Sequence, residues 1–387
     1  MSSNKLFLNP FFRLLSARSC FSGCHALLLI GLPLVLAGRN VEVNRIGFVM
    51  GSYAAGVLLG RPVATWLLGS RSRKWVATLG ALLIFGSVLF YWWIPHVSWY
   101  LVIRVLQGLG SSLLITATTT MAIDQAPKRR RGRSLSYLGM SHTSMLAAGP
   151  VLAVILLEGA GPDVLFATVA GVTLIGLLLL LRVVEEVHPE SLQAPAGRRP
   201  VRGIGRPILV ATTLLFLNAL VHGGAFYFLP LHVSRTVTGN SGLFFTCFAL
   251  AALSGRFVSG QVSDRLGRLP AGFMAQILLI AGVFLMGGVE SMAGLAAAGI
   301  VYGAGFGAYM TAMTTFVSDH TSHENRPRII ALYFSALDLG NSVAGWLLGP
   351  VAENIGIPAM LQACLGISLV AGVLFLLGLG RNLVRPR

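Results

Sequence analysis

The chain has 387 residues, of which 55% are apolar and only 11% charged, against about 25% charged in an ordinary soluble domain. So little charge cannot cover a soluble surface, and so much apolar content excludes a disordered chain. The net charge of +16 must therefore be sorted by side of a membrane before any nucleic acid is considered.

Apolar runs near the spanning length of about 20 residues break at charge, Pro or Gly. The first covers 14–36, follows a short polar start, and reads as a retained helix rather than a cleaved signal; Lys5, Arg13 and Arg18 are counted as the charges of this N-terminus. The second, 46–68, leads to a basic turn with Arg71, Arg73 and Lys74. The third, 75–94, stops at Pro95, and the fourth, 98–121, leads into a basic loop from Lys128 to Arg133. The fifth and sixth cover 134–157 and 164–181. Residues 182–206, rich in Arg, Pro, Gly and Glu with no apolar period, read as a flexible linker. Six more runs follow at 207–231, 242–263, 270–289, 292–316, 329–349 and 358–380, the ninth and tenth parted at Glu290. The expectation is an all-α polytopic membrane protein: an N-terminal six-helix half over 1–181, the linker, and a C-terminal half over 207–387.

Of the 29 Lys and Arg, 23 fall at the two ends and in alternate connections. Arg39, Arg45 and Arg235 fall opposite, and Arg61, Arg104 and Arg256 lie inside spans. The positive-inside rule then places both termini and the linker in the cytoplasm, and accounts for the basic charge without nucleic acid. The halves also repeat at an offset of 195 to 197 residues. Thr119-Thr120-x-x-x-Asp124 returns as Thr314-Thr315-x-x-x-Asp319, Gly60-Arg61 as Gly255-Arg256, Arg73 as Arg268, and Gly108-x-Gly110 as Gly303-x-Gly305. His25 precedes Pro33 by eight residues, as His222 precedes Pro230. Such parallel halves are related by an axis along the membrane normal, with the expected binding site between them near the midplane.

Three motifs carry chemistry. After the eighth run the chain reads Gly260-Gln261-Val262-Ser263-Asp264-Arg265-Leu266-Gly267-Arg268, a tight turn whose Asp can pair with Arg. The first-half copy, Thr65 to Arg73, has Gly69 where that Asp belongs. In the fourth run, Arg104-x-x-Gln107-Gly108-x-Gly110 puts a charge in apolar surroundings, costly unless paired or wet. Gln107, Ser111 and Thr118 continue the Arg104 face as a polar stripe. In the fifth run Gly149-Pro150 combines a small residue for close helix approach with a helix-bending Pro. Gly345-x-x-x-Gly349-Pro350 is a similar string.

On these residues the chain resembles the major facilitator superfamily over nearly its whole length, and is most similar to twelve-helix drug:proton antiporters and bacterial efflux permeases. The resemblance implies a latch at the cytoplasmic gate formed by Gly260, Asp264, Arg265, Gly267, Arg268 and Arg73. It also implies an antiporter role for Gly149 and Pro150. With Asp264 the one acidic residue in the two gate loops, the second half is expected to carry most of the latch.

Of 13 acidic residues only Asp338 lies well inside a span, on a face with Ser335, Ser342 and Gly345. A carboxyl desolvated there can exchange a proton near neutral pH, and a nearby cation such as Arg104 or protonated His142 would oppose that. The bland alternative is a carboxylate held by backbone or Ser. Asp338, Arg104 and His142 are therefore the proton-coupling candidates. His25 and His222 occupy repeat-related positions and are expected to face one cavity. Asn218 on the His222 face, Gln107, Ser111, and the stripe Tyr302, Phe306, Tyr309 complete the substrate candidates. Such stripes also serve as packing. The four Cys give no metal spacing with these His, and neither metal nor cofactor is expected.

No nucleotide-binding motif appears, so ATP-driven transport is not expected. The reading is a monomeric secondary active transporter of the cytoplasmic (inner) membrane, not an enzyme. It would export a small amphipathic, anionic or zwitterionic molecule, driven by protons, in contact with lipid but not nucleic acid. Rivals are proton-coupled uptake of a small metabolite, and a non-transporting membrane sensor or membrane enzyme.

Overall fold

The computed structural model describes residues 10–93, 96–125, 131–184, 205–236, 242–322 and 326–380. Among these it is built from twelve α-helices and no strand. The helices are α1 (Pro10–Gly38), α2 (Val43–Leu68), α3 (Arg73–Leu89, extended by a 3₁₀ turn Phe90–Trp92), α4 (Val97–Asp124), α5 (Arg131–Ala160) and α6 (Pro162–Leu181). The second set is α7 (Arg206–Thr236), α8 (Gly242–Leu266), α9 (Arg268–Gly287), α10 (Met292–Asp319), α11 (Arg326–Asn354) and α12 (Ile357–Leu379). Each predicted span coincides with one helix. Most helices run past the apolar limits, because backbone hydrogen bonds continue where apolar side chains end. The expected linker lies outside the described residues from 185 to 204, as does the basic stretch 126–130.

Eleven of these helices are long and apolar enough to cross a membrane. The exception is α11, whose 29 residues include Arg326, Arg328, Asp338, Asn341 and Glu353. Exposed Trp75 stands in the first turn of α3, and exposed Trp92 and Trp93 stand at its other end. Indole rings favour the two membrane–water interfaces, which fits a spanning α3. Exposed Leu59, Phe257, Phe284 and Leu377 fit a surface that meets lipid rather than water.

The helices gather into two compact units, Met1–Val35 with Ser52–Arg198, and Leu36–Gly51 with Arg199–Arg387. In the first, α3 packs on α4 and α6, and α5 on α6. In the second, α8 and α9 pack on α10, α7 packs on α11 and α12, and α9 on α12. Glycines set how close these helices come. A Cβ at Gly108 would strike the backbone of Tyr53, and one at Gly60 would lie 3.1 Å from Leu109 Cα. The second unit repeats both contacts 195 residues on: Gly303 against Phe248, and Gly255 against Ala304. The repeat read from the sequence is thus a repeat of helix crossings, α2 on α4 and α8 on α10.

The connections repeat as well. Gly161 before α6 and Gly356 before α12 both adopt positive φ. At the basic turns the halves differ. Gly267 has φ 95°, in the left-handed region that favours Gly. Its counterpart Ser72 is extended instead, and its hydroxyl caps α3 by accepting from the Trp75 N–H at 3.2 Å.

One charge stands elsewhere than the pattern suggests. Arg18 counts among the N-terminal charges, but α1 begins at Pro10, so Arg18 sits two turns inside the helix. Arg13 donates to the carbonyl of Arg182 at 3.3 Å, which ties the start of α1 to the end of α6.

Candidate functional site

Polar side chains inside an apolar bundle are the candidates for chemistry, and each unit has its own set.

In the first unit the set is built on α4. Arg104 is 1% exposed. Its Nη1 donates to Gln107 Oε1 at 2.9 Å, one turn on, and its guanidinium lies 4.8 Å from the Tyr53 ring centre. A cation over an aromatic face gains from the ring's negative face. Gln107 also accepts from the Tyr91 hydroxyl at 3.0 Å and donates to Cys24 Sγ at 3.7 Å. Gln107 therefore fixes Arg104 rather than presenting its own amide. The Tyr53 hydroxyl donates to Ser111 Oγ at 2.8 Å, so Ser111 orients Tyr53. The His25 ring stacks on Tyr53, centres 4.6 Å apart. Its Nδ1 is buried without a hydrogen-bond partner among the described residues.

His142 shares a hydrogen bond with Ser22 Oγ at 3.2 Å, which links α5 to α1. A Cβ at Gly149 would run into Ala26, so this glycine of the helix-5 motif lets α5 approach α1. Pro150 lies inside α5 and is buried. Tyr53, Tyr91 and Ser22 escaped the sequence analysis. Tyr53 had a faint signal, as a lone aromatic among Gly51, Ser52, Ala54, Ala55 and Gly56.

The second unit repeats this skeleton without its charge. His222 takes the place of His25, Phe248 that of Tyr53, Tyr302 that of Gln107, and Gly299 that of Arg104. His222 is 5% exposed, with Phe226 and Phe306 at ring distances of 4.0 and 4.3 Å. The Tyr302 hydroxyl stands 3.5 Å from His222 Nδ1. Tyr302, Phe306 and Tyr309 are all buried. Asn218 exchanges amide hydrogen bonds with Gln276, at 2.8 and 3.2 Å, and Gln276 reaches the Ser368 carbonyl at 3.4 Å. Gln276, which the sequence did not single out, ties α7, α9 and α12 together.

Asp338 is half-buried in α11. Its face holds small residues in contact. Ser342 is buried, and Gly345 packs so closely on Gly47 and Gly51 that a Cβ would lie 2.9 Å from the Gly51 nitrogen.

The basic turns close on Asp residues at the ends of α4 and α10. Arg268 pairs with Asp264 at 2.7 Å and with Asp319 at 3.2 Å. Its Nη1 also reaches Ser263 Oγ at 2.9 Å. In the first unit Arg73 pairs with Asp124, the repeat partner of Asp319. The expectation that the second half carries most of the latch thus meets a first-half pair despite Gly69. That pair is also the less exposed: the Asp124 side chain is 10% exposed and that of Asp264 73%. Of the other turn residues, Gly260 has open space about its Cβ position, and Arg265 is exposed.

A sequence model of the Major Facilitator Superfamily matches residues 14–344 and 238–386. The staphylopine export protein of Staphylococcus aureus (strain Mu50 / ATCC 700699) is 22% identical over 370 residues, 92% of each chain. The uncharacterized MFS-type transporter YhhS of Escherichia coli (strain K12) is 26% identical over 360 residues, 89% of this chain and 87% of that one. The multidrug resistance protein MdtG of Dickeya zeae (strain Ech586) is 29% identical over 276 residues, 67% of this chain and 66% of that one. Among solved structures, a D-xylose-proton symporter superposes with TM-score 0.77 at 16% identity, covering 94% of this chain and 95% of the other. The nucleoside transporter NupG superposes with TM-score 0.73 at 14% identity, covering 99% and 100%. At such identities the structural likeness shows the fold alone.

Proposed function

Because this chain belongs to the Major Facilitator Superfamily of membrane transporters, and not to a family of enzymes, we propose that it is a proton-driven exporter of a small amphipathic, anionic or zwitterionic molecule. It sits in the bacterial inner membrane as a monomer, with both termini cytoplasmic. The halves 1–181 and 207–387 move as units, and the substrate site opens to one side of the membrane at a time.

The observation that carries the reading is the network on α4. Arg104 is buried deep in an apolar bundle, held by Gln107 and Tyr53 with His25 stacked behind. A charge in such surroundings is costly unless paired or wet, and inside a membrane span it marks a candidate functional site. The cationic character of this set suits a substrate with negative charge. The aromatic cluster of His222, Phe226, Phe248, Tyr302 and Phe306 suits an apolar part. Asp338 carries the coupling proton, with Arg104 and His142 as the further coupling candidates. The names of the staphylopine exporter and the multidrug protein favour export.

The test uses Asp338→Asn, which mimics a permanently protonated carboxyl. In proteoliposomes the variant should lose accumulation driven by an imposed pH gradient while keeping exchange between pools. Full gradient-driven transport by Asp338→Asn would sink the assignment and turn attention to His25 and His142. Counterflow in vesicles of known orientation separates export from uptake.

A further inference from the structure

Arg18 on α1 is a second cation inside the first unit. Its Nη1 donates to three acceptors on α4: Ile115 O at 3.2 Å, Thr118 Oγ1 at 3.2 Å and Thr119 Oγ1 at 2.7 Å. Both Thr hydroxyls spend their own protons on backbone carbonyls, Thr118 on Leu114 and Thr119 on Ile115, each at 2.6 Å. They therefore meet Arg18 as acceptors only. All three bonds use one nitrogen. Nε is buried with no acceptor among the described residues, so the Nε–Nη2 edge of the guanidinium is uncommitted. That edge matches the two oxygens of a carboxylate.

Among the described residues of this unit, no carboxylate pairs with this charge. Among the described residues, the acids of this unit are Asp124, Glu158 and Asp163. Asp124 pairs with Arg73. Glu158 and Asp163 flank the α5–α6 turn, at the far end of α6 from the Arg182 carbonyl that anchors Arg13. A half-buried guanidinium held only by neutral oxygens gains most from an anion supplied by a ligand. Ser22 and His25 continue the Arg18 face at i+4 and i+7, so this face runs from Arg18 to the stacked pair of His25 and Tyr53.

We infer that Arg18, fixed by Thr118 and Thr119, is the site that takes the carboxylate of the transported molecule. This makes the substrate class a carboxylate-bearing small molecule, and it rests on the transporter reading above. The same charge chemistry fits a lipid phosphate, so the test separates the two sources.

The full chain, with Cys20, Cys24, Cys247 and Cys364 replaced, carries Thr119→Cys and is reconstituted without any gradient. The probes are two thiol reagents, the sulfonatoethyl and trimethylammonioethyl methanethiosulfonates, alike in reach and opposite in charge. With Arg18 present, the anion-to-cation labelling ratio should exceed that of Arg18→Gln about tenfold or more, as expected for a unit charge within several ångströms. Arg18→Lys should keep most of the ratio. Millimolar 2-naphthoate should slow labelling several-fold with Arg18 present, and neutral 2-naphthamide should not.

An equal ratio in the Arg18→Gln protein, no labelling by either reagent, or equal protection by acid and amide would each overturn the site. So would a ratio that collapses when phosphatidylglycerol replaces zwitterionic lipid, because the anion is then a lipid phosphate. The assay needs neither transport nor protons. A failed Asp338→Asn result therefore leaves it standing, and its failure leaves proton coupling untouched.

Discussion

Arg104 and Gln107 act as one group. Gln107 Oε1 accepts one hydrogen bond from Arg104 and another from Tyr91, and all three side chains are buried. Leu in place of Gln takes one acceptor from a buried guanidinium and one from a buried phenol, a loss of about 1–3 kcal/mol for an ordinary group and more for a charged one. Gln107→Leu should therefore lower the melting temperature of the purified protein and cut transport together. Gln107→Glu retains the acceptor and should recover most of the stability. If Gln107→Leu melts like the parent, Arg104 is held by something else. Accessibility separates the paired histidines. His25 is half-buried, whereas aromatic rings enclose His222. Cys at 25 should react with a water-soluble thiol reagent at least about tenfold faster than Cys at 222, on the reasoning that a packed side chain reacts only through rare local opening. Equal rates would mean that the His222 cluster is open to water.

Between elements, close approach and ion pairing are separable effects. Gly303 and Gly108 let α10 meet α8 and α4 meet α2 at backbone distance. At Gly303 a Cβ would already lie 2.8 Å from Phe248 Cα, with nothing flexible to yield. Gly303→Val should cost about 3 kcal/mol through overpacking and show as lost monodisperse protein on size exclusion. The same change at Gly287, which has open space about it, should be tolerated. The two basic turns differ in burial. Asp124→Asn removes one partner of a mostly buried Arg73, a loss of up to about 3–5 kcal/mol. Asp264→Asn removes an exposed partner from an Arg268 that keeps Asp319, worth about 1 kcal/mol or less. Asp264→Asn should still slow transport if the turn is a gate latch. Thermal melts read the first difference and initial transport rates the second. Equal destabilisation by the two variants would contradict the burial argument.

For the whole molecule, one helical skeleton recurs in both units, but the charged set on α4 has neutral residues at its counterpart positions in the second. Glycine contacts, positive-φ turns and Arg–Asp closures recur at an offset of 195 residues. Arg104, Gln107 and Tyr53 give way to Gly299, Tyr302 and Phe248. Under the proposed function, charge recognition lies in the first half, where this set is cationic, and apolar contact in the second. Exchanging Gln107 for Tyr should therefore harm transport more than exchanging Tyr302 for Phe, when initial rates are compared at equal expression.

The sequence alone determined the class of fold, the twelve helices and the internal repeat. These rest on hydropathy over about 20 residues and on Gly, Pro and Arg at fixed spacing, all of which are local along the chain. It also marked Arg104, Asp338 and the histidines, because a polar group in an apolar run stands out without any structure. Only the tertiary structure decided what each of them touches. Tyr53, Gln276 and Arg18 acquire their roles from partners 51, 58 and 97 to 101 residues away, a separation no periodicity encodes. The Arg73–Asp124 pair was half legible: the repeat named both residues, but the turn motif pointed to position 69, where Gly stands. Helix packing, not spacing, brought the end of α4 to that Arg. Which side chain a buried charge meets depends on how neighbouring helices cross, and that is set by the glycines that let their backbones touch.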